Sequence, residues 1–542
     1  MSSLAIFLIG LILFGLGYKF YAGFIARMFE VDSRKVTPAH RCYDGVDYVP
    51  AKNWLMLFGH HFSSISGAGP IIGPVIGCVY WGWLPSLIWI VFGSILIGGV
   101  HDFAALFISV RQDGVSIAEI SESSVSKKAR YIFSIFVWLA LILVIAVFVH
   151  LCAKTFITEP KTILPSLGFI PIAILVGYLT YVKKVNLVIT TVIGLGLFVC
   201  LPILAQICPF SVDNGQLVFW SIILLVYCFV ASVTPVNILL QPRDYLSSYL
   251  LVFGTLAGLI GLCISRPPVT QPAFVAWDTS QGSLWPMMCV TIACGAISGF
   301  HSLIASGTTS KQIQNERYIK RIGYGGMIVE GVVALLAIVA VVAGISREGV
   351  AVCSLLKDAG PICVFGEGYA GLTRPIFGSY GVVIAIIILN AFILTTLDTA
   401  TRVCRYITTE LMGIKNRFLA TFIVVSLAGV LALSGAWNKI WPVFGASNQL
   451  VAALALFVVS CWLLARKKPT VYTLIPAFFM FLTTFAALII QFFSYLKESN
   501  YLLMLITLVL VVLSLVMVYE VVSFFKRFKK NKGCICLKQG IS

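Results

Sequence analysis

Charge is scarce in this sequence: only 11% of its 542 residues are Asp, Glu, Lys or Arg, where a soluble protein carries about 25%. A folded surface in water needs more, and the 59% of residues that are hydrophobic exceed what a water-soluble core requires. Acidic residues are the rarer sign, 21 against 38 Lys and Arg, and histidine occurs only six times. The net charge of +17 would suit nucleic acid if the basic residues lay along solvated helices, but they sit in short loops between apolar runs, so no nucleic-acid partner is implied. No Gly-Lys dipeptide occurs, so a Walker A phosphate loop is absent and ATP does not drive this chain by that route. No nucleophile–base arrangement is visible, which makes an enzyme the least fitting class. The longest loops, around 27–52 and 346–375, are too short to fold an appended soluble domain. The 15 cysteines fall mostly inside apolar runs, where a thiol packs as a small hydrophobe, and imply no disulfide framework.

What is present is a succession of apolar runs of about 20 residues, the length that crosses a hydrocarbon core of about 30 Å as a helix. They predict an all-α polytopic membrane protein of about fifteen transmembrane helices, numbered here as spans 1 to 15. The first eight run over 4–26, 54–79, 84–110, 131–152, 169–182, 187–207, 217–240 and 245–264. The rest run over 284–309, 322–345, 376–397, 418–433, 441–465, 471–496 and 501–525. Span 1 has no basic residue before it and several after it, the reverse of a cleavable signal peptide. Assigning alternate loops to two sides gathers most Lys and Arg on one side, which the positive-inside rule makes cytoplasmic. The N-terminus is then outside and the C-terminus inside. The expected organisation is an N-terminal helix and loop over 1–53, a core over 54–400, C-terminal helices over 401–525 and a basic tail over 526–542.

Span 2 carries Ser66-Gly67-Ala68-Gly69-Pro70-Ile71-Ile72-Gly73-Pro74, where glycine weakens the helix and each proline removes a backbone donor. The helix should unwind there, and unwound backbone at that depth is tolerated only inside protein or against a wet cavity, where its free amides and carbonyls can hold a solute. The alternative is a kink that only shapes packing. Span 9 repeats the spacing His, four residues, Ser, Gly: His61, Ser66 and Gly67 match His301, Ser306 and Gly307, on spans of opposite direction. Span 7 has a further break at Thr234-Pro235 with Asn237 close by. These features suggest a five-plus-five inverted repeat, spans 2 to 6 and 7 to 11, of the leucine-transporter-like arrangement, with spans 2, 7 and 9 around one midplane site. Candidate substrate contacts are Ser66, Gly67, Ala68, Gly69, Thr234 and Asn237.

Five of the six histidines fall within apolar spans, where an ionisable side chain normally faces protein or water. His60, His61, His101 with Asp102, and His301 all lie roughly 9–15 Å from the same membrane face at 1.5 Å per residue, so a cluster is geometrically allowed. Three readings fit it: a proton relay, since histidine titrates near neutrality; a metal site of imidazoles and a carboxylate; or neutral histidines bonded to backbone. The close ligand spacing of a metal site is missing, and no metal and no cofactor is assigned. Glu330 in span 10 is the other deep acid. Ser66, Ser306, Thr308 and Thr309 offer hydroxyl oxygens to Na⁺ or to their own helix backbones. Asp398 and Arg402, four residues apart at the end of span 11, read as an interfacial pair.

Several longer motifs point to one family. Tyr43-Asp44-Gly45-Val46-Asp47-Tyr48-Val49-Pro50, Phe58-Gly59-His60-His61-Phe62 and Gly67-Ala68-Gly69-Pro70 come first. His101-Asp102-Phe103, Gln241-Pro242-Arg243-Asp244-Tyr245 and Ser298-Gly299-Phe300-His301-Ser302 follow, then Ser306-Gly307-Thr308-Thr309-Ser310-Lys311-Gln312 and Thr395-Thr396-Leu397-Asp398-Thr399-Ala400-Thr401-Arg402. In this order they resemble the carbon starvation protein A family, with Cys42 standing where that family has His. The resemblance implies a bacterial inner-membrane protein of the amino acid–polyamine–organocation group, importing peptides during carbon starvation, or pyruvate with protons. The expected partners are the lipid bilayer, a peptide or pyruvate, and H⁺ or Na⁺. A starvation sensor without transport and a channel are the competing classes.

Overall fold

The computed structural model describes residues 2–45, 47–207, 217–236, 238–345, 352–434 and 437–530. Most of the described chain is helical, with one two-stranded hairpin at Asp278–Thr279 and Gly282–Ser283. Among the described residues eleven helices are long and apolar enough to cross a membrane, and a bent pair makes a twelfth. The elements are α1 Ser3–Met28, α2 Trp54–Ile65, α3 Gly69–Tyr80, α4 Trp83–Arg111, α5 Lys127–Thr158, α6 Pro160–Val182, α7 Leu187–Ile207, α8 Leu217–Val233 and α9 Leu240–Ser265. After them come α10 Gly299–Gly307, α11 Glu316–Gly344, α12 Pro361–Phe377, α13 Gly381–Met412, α14 Arg417–Leu433, α15 Trp437–Ala465, α16 Val471–Lys497 and α17 Tyr501–Lys530.

Local chemistry sets several of these boundaries. Ser2, Asn53 and Asn416 lie just before α1, α2 and α14, and each side-chain oxygen accepts from a first-turn amide that the helix leaves unpaired. The outward faces are apolar: Val188 is 69% exposed, Val430 70% and Ile475 65%. The inward faces hold hydroxyls and ion pairs, the arrangement that lipid, not water, selects.

Of the fifteen expected spans, eleven coincide with the long helices and span 2 is the bent pair α2–α3. Spans 7 and 12 are the shorter apolar helices α8 and α14. Span 9 is interrupted: the π-helical stretch Leu284–Met288 and the turn Cys289–Thr291 are followed by non-helical chain up to Ser298, and α10 starts at Gly299. Span 5, short in the sequence pattern, is the 23-residue α6 packed against α7.

Two expectations change. The helix holding span 11 runs on to Met412, so Asp398 and Arg402 are buried within α13, 0% and 1% exposed, and not at an interface with water. The position between residues 400 and 401 accordingly falls inside that helix. The break that faces span 2 is that of span 9, whereas Thr234 follows the end of α8 and its carbonyl accepts from Arg402. Asn237 lies outside the described residues.

Neighbours in the bundle recur in matched pairs. α2 packs on α9 as α10 packs on α15; α3 packs on α11 as α10 packs on α4; α5 packs on α14 and α15 as α13 packs on α8 and α9. α5 also packs on α13, and α8 on α14.

Candidate functional site

The site is built on two interrupted spans set against each other. α2 ends at Ile65, α3 begins at Gly69, and the two diverge by 45° across Ser66, Gly67 and Ala68. Glycine is required at the crossing: a Cβ on Gly69 would stand 2.3 Å from Cys294 Cβ, inside the gap of span 9. A Cβ on Gly67 would meet Phe148 at 2.7 Å and the Thr396 hydroxyl at 2.8 Å. The hydroxyl of Ser66 is buried and has no hydrogen-bond partner among the described residues.

The gap in span 9 needs a partner for its freed backbone, and α15 supplies it. Asn448 Oδ1 accepts from the Phe300 amide at 2.8 Å, while its Nδ2 donates to Ser298 Oγ at 3.0 Å and lies 3.3 Å from Cys294 Sγ. One amide side chain thus caps α10 and holds the loop that precedes it.

Beside these breaks runs a buried chain of ionisable groups. His101 Nδ1 lies 2.7 Å from Asp102 Oδ1, and Asp102 Oδ2 lies 2.8 Å from His301 Nδ1. His301 Nε2 lies 3.0 Å from Glu330 Oε2, an ion-pair contact whose angle falls outside that of a hydrogen bond. All four side chains are fully buried, on α4, α10 and α11. The histidine of α10 is two residues into the helix that starts at the break, and Gly98 of α4, three residues before His101, packs against Ala296 within it. His61 Nδ1 bonds Thr309 Oγ1 at 2.8 Å, and its Nε2 faces Gly326, one turn before Glu330. An alternation of imidazole and carboxylate lets a proton gained at one end reorganise the hydrogen bonds and ion pair along the line.

The adjacent residue points elsewhere. His60 Nδ1 lies 2.7 Å from Asp244 Oδ2, which also accepts from Ser64 Oγ at 3.2 Å. Gln312 Nε2 lies 3.2 Å from His60 Nε2, and Gln312 Oε1 accepts from Gln241 at 2.5 Å. Arg243 pairs with Asp398 and Tyr227. Two hydroxyls of α13 tie it to the end of α2: Thr395 donates to Ser63 O at 2.8 Å and Thr396 to Ser64 O at 3.2 Å.

The structure therefore brings together Ser66, Gly67, Ala68, Gly69, His61, His101, Asp102, His301, Thr309 and Glu330, with His60 in the neighbouring cluster. Ser306 instead accepts from the Ile117 amide and donates to Ser302 O, and Thr308 donates to Ile304 O within its own helix. Thr234 bonds Val230 O, away from the breaks. Asp244, Gln312, Arg243, Asp398 and Asn448 enter in their place. Among the described residues no three His, Cys, Asp or Glu converge on a metal.

The sequence pattern of the family Carbon starvation protein CstA matches residues 2–353 and 346–487. The chain belongs to that family. Among its relatives are the peptide transporter CstA of Campylobacter jejuni, 30% identical over 92% of this chain and 81% of its own, and that of Escherichia coli K12, 32% identical over 87% and 78%. The pyruvate/proton symporter BtsT of Escherichia coli K12 is 29% identical over 91% of this chain and 82% of its own. Among solved structures, a mutant manganese transporter of Eremococcus coleocola superposes with a TM-score of 0.55 at 13% identity, covering 90% of this chain and 99% of its own. At that identity the likeness is one of fold. The family member described here is thus a multi-pass helical membrane protein with a transporter fold.

Proposed function

We propose that this chain is a secondary active transporter for peptide uptake, driven by protons that pass through His101, Asp102, His301 and Glu330. The observation that carries the reading is the fully buried line of alternating imidazoles and carboxylates beside two interrupted spans. Helix interruptions free backbone amides that a solute can use, and buried titratable groups supply the coupling. The relatives named as peptide transporters favour a peptide. Pyruvate is the second reading, favoured by the likeness to the pyruvate/proton symporter; either solute brings a carboxylate that suits the amides at the start of α3. The setting is a bacterial inner membrane, with the N-terminus outside and the basic-rich loops inside.

The matched neighbour pairs support a five-plus-five inverted repeat grouped differently from the simple succession of spans 2 to 11. One unit is spans 2, 3, 4, 7 and 8, and the other is spans 9 to 13, with the α6–α7 hairpin inserted in the first. In this grouping the two interrupted spans open their respective units.

Purified protein in liposomes tests the function. Labelled short peptides and pyruvate are offered with and without an inward proton gradient or an inward Na⁺ gradient. The expected result is proton-driven accumulation of peptide. Accumulation driven only by Na⁺ would remove the proton reading, and no transport by folded protein under any gradient would favour a sensor.

A further inference from the structure

We infer a binding site for an anionic phospholipid in the groove between α15, α16 and α17. The groove has a volume of about 770 Å³ and is walled by apolar side chains from three helices, among them Phe457, Leu474, Phe478 and Phe525. Its other wall residues include three lysines: Lys467 in the turn after α15, and Lys526 and Lys529 in the last turns of α17. α15 and α17 both end at that membrane face, so the three ammonium groups gather at one end of the groove, where a headgroup would lie. Among the described residues no acidic side chain lines it.

Two nearby cations are otherwise engaged. Lys468 pairs with Glu30 at 2.9 Å, and the Arg466 guanidinium stacks over Trp462 at 3.7 Å. Among the described residues no carboxylate lies within ion-pair distance of Lys467, Lys526 or Lys529. An apolar slot ending in three unpaired lysines matches a molecule with acyl chains and a phosphate, because the chains cover the groove and the phosphate neutralises the rim. Zwitterionic lipid fills the same slot without answering the charge. The chain's own residues 531–542 carry Lys532 and Lys538 and no Asp or Glu side chain to answer the three lysines. A lipid held here braces the outer side of α15, the helix whose Asn448 caps α10. The inference is independent of which solute the protein carries.

The test is native mass spectrometry of the full-length protein titrated with phosphatidylglycerol or with phosphatidylcholine of the same chains. Wild type should bind phosphatidylglycerol tighter by about tenfold or more. The triple variant Lys467→Gln, Lys526→Gln, Lys529→Gln should lose that preference, the corresponding triple Arg variant should keep it, and Lys183→Gln, Lys184→Gln should leave it unchanged. Absence of preference in wild type, or its survival in the Gln triple variant, overturns the site. So does a chain ending at Lys530 that binds the lipid more tightly than the full-length protein, since residues 531–542 would then be the occupant.

Discussion

Within the buried line of ionisable groups, each side chain has a partner whose loss has a distinct consequence. Glu330 ends the line, with Oε1 lacking a hydrogen-bond partner among the described residues and Oε2 against His301. Glu330→Gln keeps size and removes the titrating group. Proton-driven accumulation in liposomes should fall by at least about tenfold, equivalent to about 1.4 kcal/mol, while exchange of labelled for unlabelled solute at equal pH persists. Undiminished gradient-driven uptake by this variant would exclude Glu330 from coupling. Gly69 poses a steric test. Even alanine would drive its Cβ into Cys294, and overpacking of this kind costs about 1–3 kcal/mol. Gly69→Ala should therefore abolish uptake without preventing membrane insertion, and adding Cys294→Gly should restore a substantial part of it. Failure of the second change to help would mean that the clash is not the cause.

Among the elements, α10 depends on a helix far away in sequence. Asn448→Ala leaves the Phe300 amide buried without its acceptor, and an unsatisfied buried group costs about 1–3 kcal/mol. Thermal unfolding in detergent should show that destabilisation, whereas Asn448→Asp, which retains the Oδ1 acceptor, should lose less; equal stability of the Ala variant and wild type would sink the cap. This dependence also explains what the sequence could and could not reveal. The break in span 2 was legible because Gly67, Gly69, Pro70 and Pro74 each oppose a helix by themselves. The break in span 9 falls at Ile292–Ser298, where only Gly295 weakens the helix; the side chain that satisfies it is Asn448, and no local pattern announces a partner about 150 residues away. Conversely, Thr234-Pro235 interrupts the chain as its local chemistry demands, yet its carbonyl serves Arg402. The Gln241-Pro242-Arg243-Asp244 run sets three polar residues around a proline. It forms the first turn of α9, where proline is well tolerated, and burial against α2 and α13 gives Asp244 and Arg243 their partners, which no local pattern shows. The histidine cluster was legible as depth along helices, but its acids were visible only where they lay in recognised spans.

At the scale of the whole molecule, the contacts divide into two kinds. The line His101, Asp102, His301, Glu330 joins α4, α10 and α11, which pack together with α2–α3. The bonds from Thr395, Thr396 and Thr399 to Ser63 and Ser64 join that bundle to α13, which packs on α5, α8 and α14. If the two groups move against each other to alternate access, the first set persists while the second breaks and reforms. Ser64 Oγ and Thr399 Oγ1 are 3.2 Å apart, so cysteines at both positions bring their sulfur atoms into contact, the first requirement of a disulfide. In a background with the exposed Cys200 and Cys263 changed to Ser, oxidised Ser64→Cys, Thr399→Cys protein should accumulate no solute and should regain uptake on reduction. Each single cysteine variant should be insensitive to oxidant. Full transport by completely cross-linked protein would show that α2 and α13 move as one body, and the moving boundary would then have to lie elsewhere in the bundle.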